Sequence, residues 1–202
     1  MQPKFHYYII NKPYKMVSQF ISPDKVGLLG EIDFDFPEGI HAIGRLDNHS
    51  EGLLILTTNK KVTRLLFESK IPHKRNYLVQ VKNVVTEATV KQLSKGVSIP
   101  ISGGMEYITT PCEVSIVPKP IDLFFCENEI KAHLPHTWLS ISLTEGKFHQ
   151  VRKMTGAVSH RCKRLIRLSI EDLCLDDLQP GCVREIEETD FFQKLHIDNW
   201  AS

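Results

Sequence analysis

The residue types that can do covalent or proton chemistry gather in four short stretches. The first is the polar run Gly44-Arg45-Leu46-Asp47-Asn48-His49-Ser50-Glu51-Gly52, which leads directly into the apolar run Leu53-Leu54-Ile55-Leu56. A carboxylate on a loop anchored by a buried strand is placed where scaffolds usually present chemistry. The competing reading is that Asp47 only caps a turn, and on spacing alone that reading is favoured. The second stretch is the alternating segment Tyr77-Leu78-Val79-Gln80-Val81-Lys82, which begins with a phenol. The third is Glu145-Gly146-Lys147-Phe148-His149-Gln150-Val151-Arg152-Lys153-Met154, and the fourth Arg164-Leu165-Ile166-Arg167. Arg152 lies off the apolar face made by Val151, Met154 and Val158, so it is free to reach a carboxylate. A guanidinium beside Asp47 would hold it ionised and fix its direction. Carboxylate, phenol and guanidinium together suit several reactions, and residue chemistry alone does not choose among them. Asp47 with Glu51 could also be read as a glycosidase pair, but closeness in sequence does not place two carboxylates on either side of one bond.

Each candidate has a plainer reading. Tyr77 could be an ordinary strand aromatic. Arg152 and Arg45 could be phosphate contacts. His49 reads as a loop residue, and His160 with Cys162 as structural. The cysteines Cys112, Cys126, Cys162, Cys174 and Cys182 are odd in number and contain no CxxC pair. This argues against a disulfide framework or a zinc site and fits a reducing compartment. No apolar run is long enough to span a bilayer, and the first residues lack a signal-peptide layout.

The elements that must position these residues follow from periodicity and breakers. Tyr7 to Ile10 reads as a strand ended by Pro13, with a further extended piece at Val17 to Phe20 and a short strand at His41 to Ile43. Asn59 reads as the N-cap of a helix from about Lys60 to Ser69, with Val62, Leu65 and Leu66 on one face. Tyr77, Val79 and Val81 share one strand face. Thr86 caps a helix that runs to Lys95 and stops at Gly96. Short strands follow at Val97 to Ile99 and Cys112 to Val117. Trp138 to Leu143 alternates, and a helix begins near Phe148. Further strands are predicted at Leu165 to Ile170, Leu173 to Leu178 and Cys182 to Ile186. Strands and helices mix without regular βαβ alternation, so the fold class is α+β with a mainly antiparallel sheet.

Charge is nearly balanced, with 25 Lys and Arg against 24 Asp and Glu, but its distribution is uneven. Lys147, Arg152, Lys153, Arg161, Lys163, Arg164 and Arg167 form a basic block with no intervening acid, and an acidic block runs from Glu171 to Asp190. Nucleic-acid binding follows local basic density, so the first block is a candidate RNA footprint. A solvated helical face is the alternative.

At these residues the sequence resembles the pseudouridine synthases. Gly44-Arg45-Leu46-Asp47 with Glu51 to Thr57 is similar to their catalytic motif, Asn11-Lys12-Pro13-Tyr14 to their N-terminal motif, and Tyr77-Leu78-Val79 to their tyrosine strand. The third and fourth stretches resemble the C-terminal signature of the RsuA-type ribosomal branch. Leu134 to Leu139 and Pro180 to Glu185 resemble its E-type members, which act on large-subunit (23S) rRNA. The resemblance runs from about Tyr8 to Ile186.

The resemblance implies a single catalytic domain over residues 1–202, in two lobes flanking a cleft. Asp47 and Tyr77 would come from the N-terminal part and Arg152 from the C-terminal part. It implies isomerisation of uridine to pseudouridine in rRNA, with no organic cofactor and no metal. Asp47 would be the essential carboxylate, acting as nucleophile or base. Tyr77 would pack on the uracil, and Arg152 would pair with Asp47. Arg45 would enter the space left by a flipped-out uridine, since a stacked base hides its glycosidic carbon. Lys147, Lys153, Lys163, Arg164 and Arg167 would contact RNA. A cytoplasmic monomer without an S4-type RNA-binding module is expected. The alternative on the same fold is an inactive rRNA-binding assembly factor. Departures from the family pattern at Lys15, Lys147-Phe148-His149, Lys153 and Ser159-His160-Arg161 touch RNA positioning more than Asp47, Tyr77 or Arg152.

Overall fold

The computed structural model describes residues 5–67, 72–198 and 200. The chain divides into two compact units, one made of residues 1–73 and 167–202 and the other of residues 74–166.

The first unit is built on β1 (Tyr7–Lys12) and β3 (Glu51–Thr57). β1 lies between β11 (Val183–Ile186) and β3, antiparallel to both. β2 (His41–Ile43) pairs with β3. A strand with neighbours on both edges and packed faces gains from apolar residues at every position. This explains why β1 and β3 read as unbroken runs and are buried throughout. On one face Tyr8, Ile10, Leu54 and Leu56 pack with Met16, Leu29, Ile32 and Leu46. On the other, the Tyr7 ring lies 4.6 Å from Phe191 and 5.4 Å from Phe192 of α4 (Glu188–Lys194). That helix carries acids in its first turn and Lys194 in its last, as its dipole favours. The Tyr7 hydroxyl donates to Glu188 and accepts from Asn59 Nδ2.

Asn59 also caps α1 (Lys61–Phe67), its Oδ1 accepting the Lys61 N–H at 3.0 Å. The expected helix therefore starts as read, while its end at Ser69 lies outside the described residues. The extended piece expected at Val17 to Phe20 is irregular instead. Only Met16 makes a bridge, to Gly27. The predicted strand at Leu173 to Leu178 shortens to β10 (Leu173–Cys174), paired with the end of β9 (Cys162–Ile170).

The second unit holds β4 (Arg75–Lys82), β7 (Glu113–Val117) and β8 (His136–Leu143), with β8 antiparallel to both others. Its core joins Val79, Val81, Leu139, Ile141 and Leu143 to Val90 and Leu93 of α2 (Glu87–Lys95) and to Val151 and Met154 of α3 (Gln150–Ala157). α2 is bounded as its sequence requires. Thr86 accepts the Thr89 N–H, and Gly96 at φ 97° ends the helix. A Cβ at Gly96 would fall 2.2 Å from the Thr109 carbonyl oxygen, so the stop is enforced by packing as well as by conformation. β5 (Ser98–Pro100) and β6 (Glu106–Ile108) form a separate hairpin.

The segment between β7 and β8 has no strand or helix, and buried polar side chains hold it in place. Gln80 exchanges two hydrogen bonds with the Ile130 backbone. Arg164 donates to Glu129 at 2.8 Å and to the Phe124 carbonyl at 2.9 Å, and its guanidinium lies 5.0 Å from the Phe124 ring centroid. Asn128 donates to the Lys163 carbonyl. Among the described residues no helix is long and apolar enough to cross a membrane, and no group of His, Cys, Asp or Glu could hold a metal ion.

Candidate active site

In the first unit the Asp47 loop is fastened at its base by backbone geometry. Gly44 turns at φ 69°, and a Cβ there would approach Phe67 of α1 to 2.8 Å. The Ser18 hydroxyl both accepts from the Leu46 N–H at 2.9 Å and donates to its carbonyl at 3.0 Å. Leu46 itself is sunk in the core. The Ser50 N–H closes a turn on the Asp47 carbonyl, and the Lys15 N–H donates to the Asn48 carbonyl, each at 2.9 Å. Asp47 is thus half-buried between two fixed neighbours, with Arg45 and His49 on exposed positions beside it.

Beneath this loop lies a set of charges that residue patterns did not assemble. Lys12 is fully buried at the end of β1. Its ammonium donates to the Pro13 carbonyl at 2.8 Å and to the Met16 carbonyl. Burial pulls the Lys12 ammonium down to about 7; the charges of Glu51 and Asp47 oppose that pull and Arg167 adds to it. Glu51 and Arg167 are both buried, and Arg167 Nε donates to the Leu53 carbonyl at 2.7 Å. Lys12 therefore feels two carboxylates, Asp47 and Glu51, and one further cation, Arg167, all within the first unit. The signal for Lys12 was present: a charged residue closing a strand that opens with Tyr7-Tyr8-Ile9-Ile10, immediately before proline.

The second unit carries Tyr77 and Arg152. Tyr77 is half-buried near the start of β4, opposite Ile141, and packs against the unit's core. The expected grouping placed Tyr77 with Asp47. By packing, Tyr77 belongs to the same unit as Arg152, and Asp47 to the other.

Arg152 is half-buried on α3, and its Nη1 lies 3.6 Å from the Cys162 sulfur. The start of α3 is held by an acid that accepts several hydrogen bonds. Glu145 accepts from the Tyr107 hydroxyl, from the Thr110 N–H at 3.0 Å and from Gln150 Nε2 at 2.6 Å. Burial works against its charge, but these donors outweigh it and hold its carboxyl below the usual value. Gln150 Oε1 in turn accepts the Lys147 N–H at 2.8 Å, and His149 enters the helix at φ 55°, a costly conformation for a residue other than glycine.

The expected RNA contacts separate into two groups. Arg45 and Lys147 are exposed, with Lys147 Nζ 4.6 Å over the Tyr107 ring. Lys153 and Lys163 are half-buried, and Lys153 donates to the Pro100 carbonyl. Arg164 and Arg167 do not fit the expectation. Both are buried and bonded to protein groups, so neither presents its guanidinium to a phosphate. The reason is their place on a central strand, where alternating and even consecutive positions face packed protein.

A family model described as RNA pseudouridylate synthase matches residues 6–157, and the chain belongs to that family. It is 36% identical over 182 residues to the ribosomal large subunit pseudouridine synthase E of Vibrio parahaemolyticus, covering 89% of this chain and 73% of that protein. It is 27% identical to the ribosomal small subunit pseudouridine synthase A of Escherichia coli, over 90% of this chain and 71% of that one. Among solved structures, a pseudouridylate synthase crystal structure superposes with a TM-score of 0.76 at 25% identity, over 95% of this chain and 74% of that one.

Proposed function

We propose that this chain converts one uridine of large-subunit (23S) rRNA to pseudouridine, with Asp47 as the essential carboxylate. The observation that carries the reading is the half-buried Asp47 on a loop fixed by Ser18 and Lys15, in a chain whose family performs this reaction. The choice of rRNA, and of its large subunit, rests on what the relatives are named for, with the E-type relatives at 36% and 37% identity.

The chemistry is an isomerisation. The bond from the ribose anomeric carbon to N1 of uracil breaks, a bond to C5 forms, and the proton lost from C5 is balanced by one gained at N1. No oxidant, metal or organic cofactor enters this balance. Asp47 starts the reaction either by attacking the anomeric carbon or by removing a proton from its neighbour. One ionised carboxylate can serve both the leaving and the rejoining step. Tyr77 packs against the uracil, Arg152 is the third catalytic group, and Arg45 occupies the stack vacated by the flipped uridine. Lys12 is a positioning residue in this scheme, since it is buried within electrostatic reach of Asp47 and anchored to the Pro13 and Met16 carbonyls. The protein works in the cytoplasm as a monomer, where rRNA is its partner.

The test is pseudouridine mapping of 23S rRNA incubated with the wild-type chain and with Asp47→Asn. One new pseudouridine with wild type and none with the variant is the expected result. Turnover by Asp47→Asn would remove the central assignment. Tight rRNA binding without modification by either protein would favour an assembly factor on the same fold.

A further inference from the structure

We infer that the second unit carries an additional RNA-backbone groove, lined by Lys82, Lys131 and Lys163, at the opposite end of β4 from Tyr77. It deepens the reading of the chain as an rRNA enzyme and rests on it for the identity of the RNA.

The groove is a cavity of about 560 Å³ walled by Lys82, Lys131, His133 and Lys163, with Ile130 and Leu134 among its apolar lining. Two local features build it. The start of β9 is drawn to the end of β4 by the Lys82 N–H donating to the Arg161 carbonyl and by His160 Nδ1 lying 3.0 Å from the Lys82 carbonyl. This sets Lys163 beside Lys82. The pegs Gln80, Asn128 and Arg164 then hold the 118–135 segment over that edge, which brings in Lys131 and His133. The groove is therefore preformed by bonds within the second unit, two of its pegs being the buried side chains Gln80 and Arg164.

Its charge is the decisive property. One acid lines it, Glu129, and that carboxylate is already matched on both oxygens, by Lys119 at 2.6 Å and by the buried Arg164 at 2.8 Å. The ammonium groups of Lys82, Lys131 and Lys163 have no side-chain or backbone partner among the described residues. Converging cations without counterions in a concave site favour a polyanion. In a chain of an RNA-modifying family, that polyanion is the phosphate backbone of RNA rather than an acidic protein surface.

The position gives the groove a role. From Tyr77 to Lys82 the strand advances roughly 17 Å, at about 3.3 Å per residue. RNA gripped there is a flanking segment, several nucleotides from the base that Tyr77 meets. The groove thus selects substrates with RNA continuing past the target uridine.

The test compares the full chain, the Lys82→Ala/Lys131→Ala double variant and a Lys91→Ala/Lys95→Ala control, which removes the same charge from exposed positions of α2. Affinity for a 23S rRNA transcript is measured by filter binding across a salt series, with thermal unfolding as a check on folding. The groove variant is expected to bind roughly ten-fold more weakly and to lose about 1.4 from its log–log salt slope, two phosphate contacts at about 0.7 each. The control should stay close to wild type. Equal losses in both variants would reduce the effect to net charge and overturn the proposal, as would wild-type affinity and slope in the groove variant. Should the wild type bind but not modify rRNA, the groove is still decided by these slopes, and only the enzymatic reading falls. Wild-type modification alongside an unaffected groove variant would remove the groove and leave the enzymatic reading standing.

Discussion

Positive charge serves two different purposes in this molecule. In the first unit the cations are buried: Lys12 sits among carbonyls within reach of the Asp47 and Glu51 carboxylates, and Arg167 donates to the Leu53 carbonyl. At the end of β4 the ammonium groups of Lys82 and Lys131 are exposed, and the one acid lining the groove is matched by other cations. Removing a charge in the first setting leaves an uncompensated partner in a poorly solvated place, which is strongly unfavourable. Removing one in the second only returns a surface to water. Buried charge should therefore govern chemistry and stability, and exposed charge should govern RNA affinity and its salt dependence.

The largest expected effect tests the first half of this contrast. Asp47→Asn is expected to lower the single-turnover rate of pseudouridine formation by at least about 10³-fold, as losses of acid–base or covalent groups commonly do. RNA affinity should change less than about two-fold, because phosphate contacts dominate it. A rate loss that merely follows a loss of affinity would merge the two regions into one binding surface.

Arg164→Ala comes next. It leaves Glu129 without its buried partner and the Phe124 carbonyl without its donor, so a loss of about 3 kcal/mol is expected in urea unfolding. The Lys82→Ala/Lys131→Ala pair should change stability by less than about 0.5 kcal/mol. Comparable losses in the two proteins would break the comparison.

Lys12 gives a pH-dependent test. Its folded value, about 7, lies below the ordinary 10.5. Between those limits the unfolded chain holds a proton that the folded chain lacks, so this residue's contribution to stability rises with pH across that window. It is least favourable below pH 7, where both states are protonated and the folded state carries a buried charge. Urea unfolding at several pH values should show this rise in the wild type, approaching about 1.4 kcal/mol per pH unit. Lys12→Met should flatten it. An identical slope in both proteins would mean that Asp47 and Glu51 keep Lys12 charged throughout.

The smallest effect concerns local structure far from either charge set. Thr86→Ala removes the cap of α2 and should cost about 1 kcal/mol, without altering rate or RNA affinity.

Much of this arrangement is legible without any tertiary contact. The apolar run at Leu53 to Leu56, the alternation from Tyr77 and the Thr86 to Gly96 helix all appear as β3, β4 and α2, because each obeys a short-range rule. The α4 helix is not legible in the same way. Its acids suggest only a charged run, and its purpose emerges when Phe191 and Phe192 meet Tyr7. Val17 to Phe20 looks extended by residue type, but the Ser18 side chain is committed to Leu46, across the loop.

The identity of elements such as β3, β4 and α2 was thus determined by the sequence itself, since hydrogen-bond periodicity and caps are local. The fate of each charge was decided only by the tertiary structure. Lys163 and Arg164 are adjacent and both basic, yet one lines an open groove and the other is sealed against Glu129 and Phe124. Neighbouring residues on a strand point to opposite faces, and what occupies each face depends on segments distant in sequence. Solvation and partners, which set what a charge can do, are properties of those distant contacts.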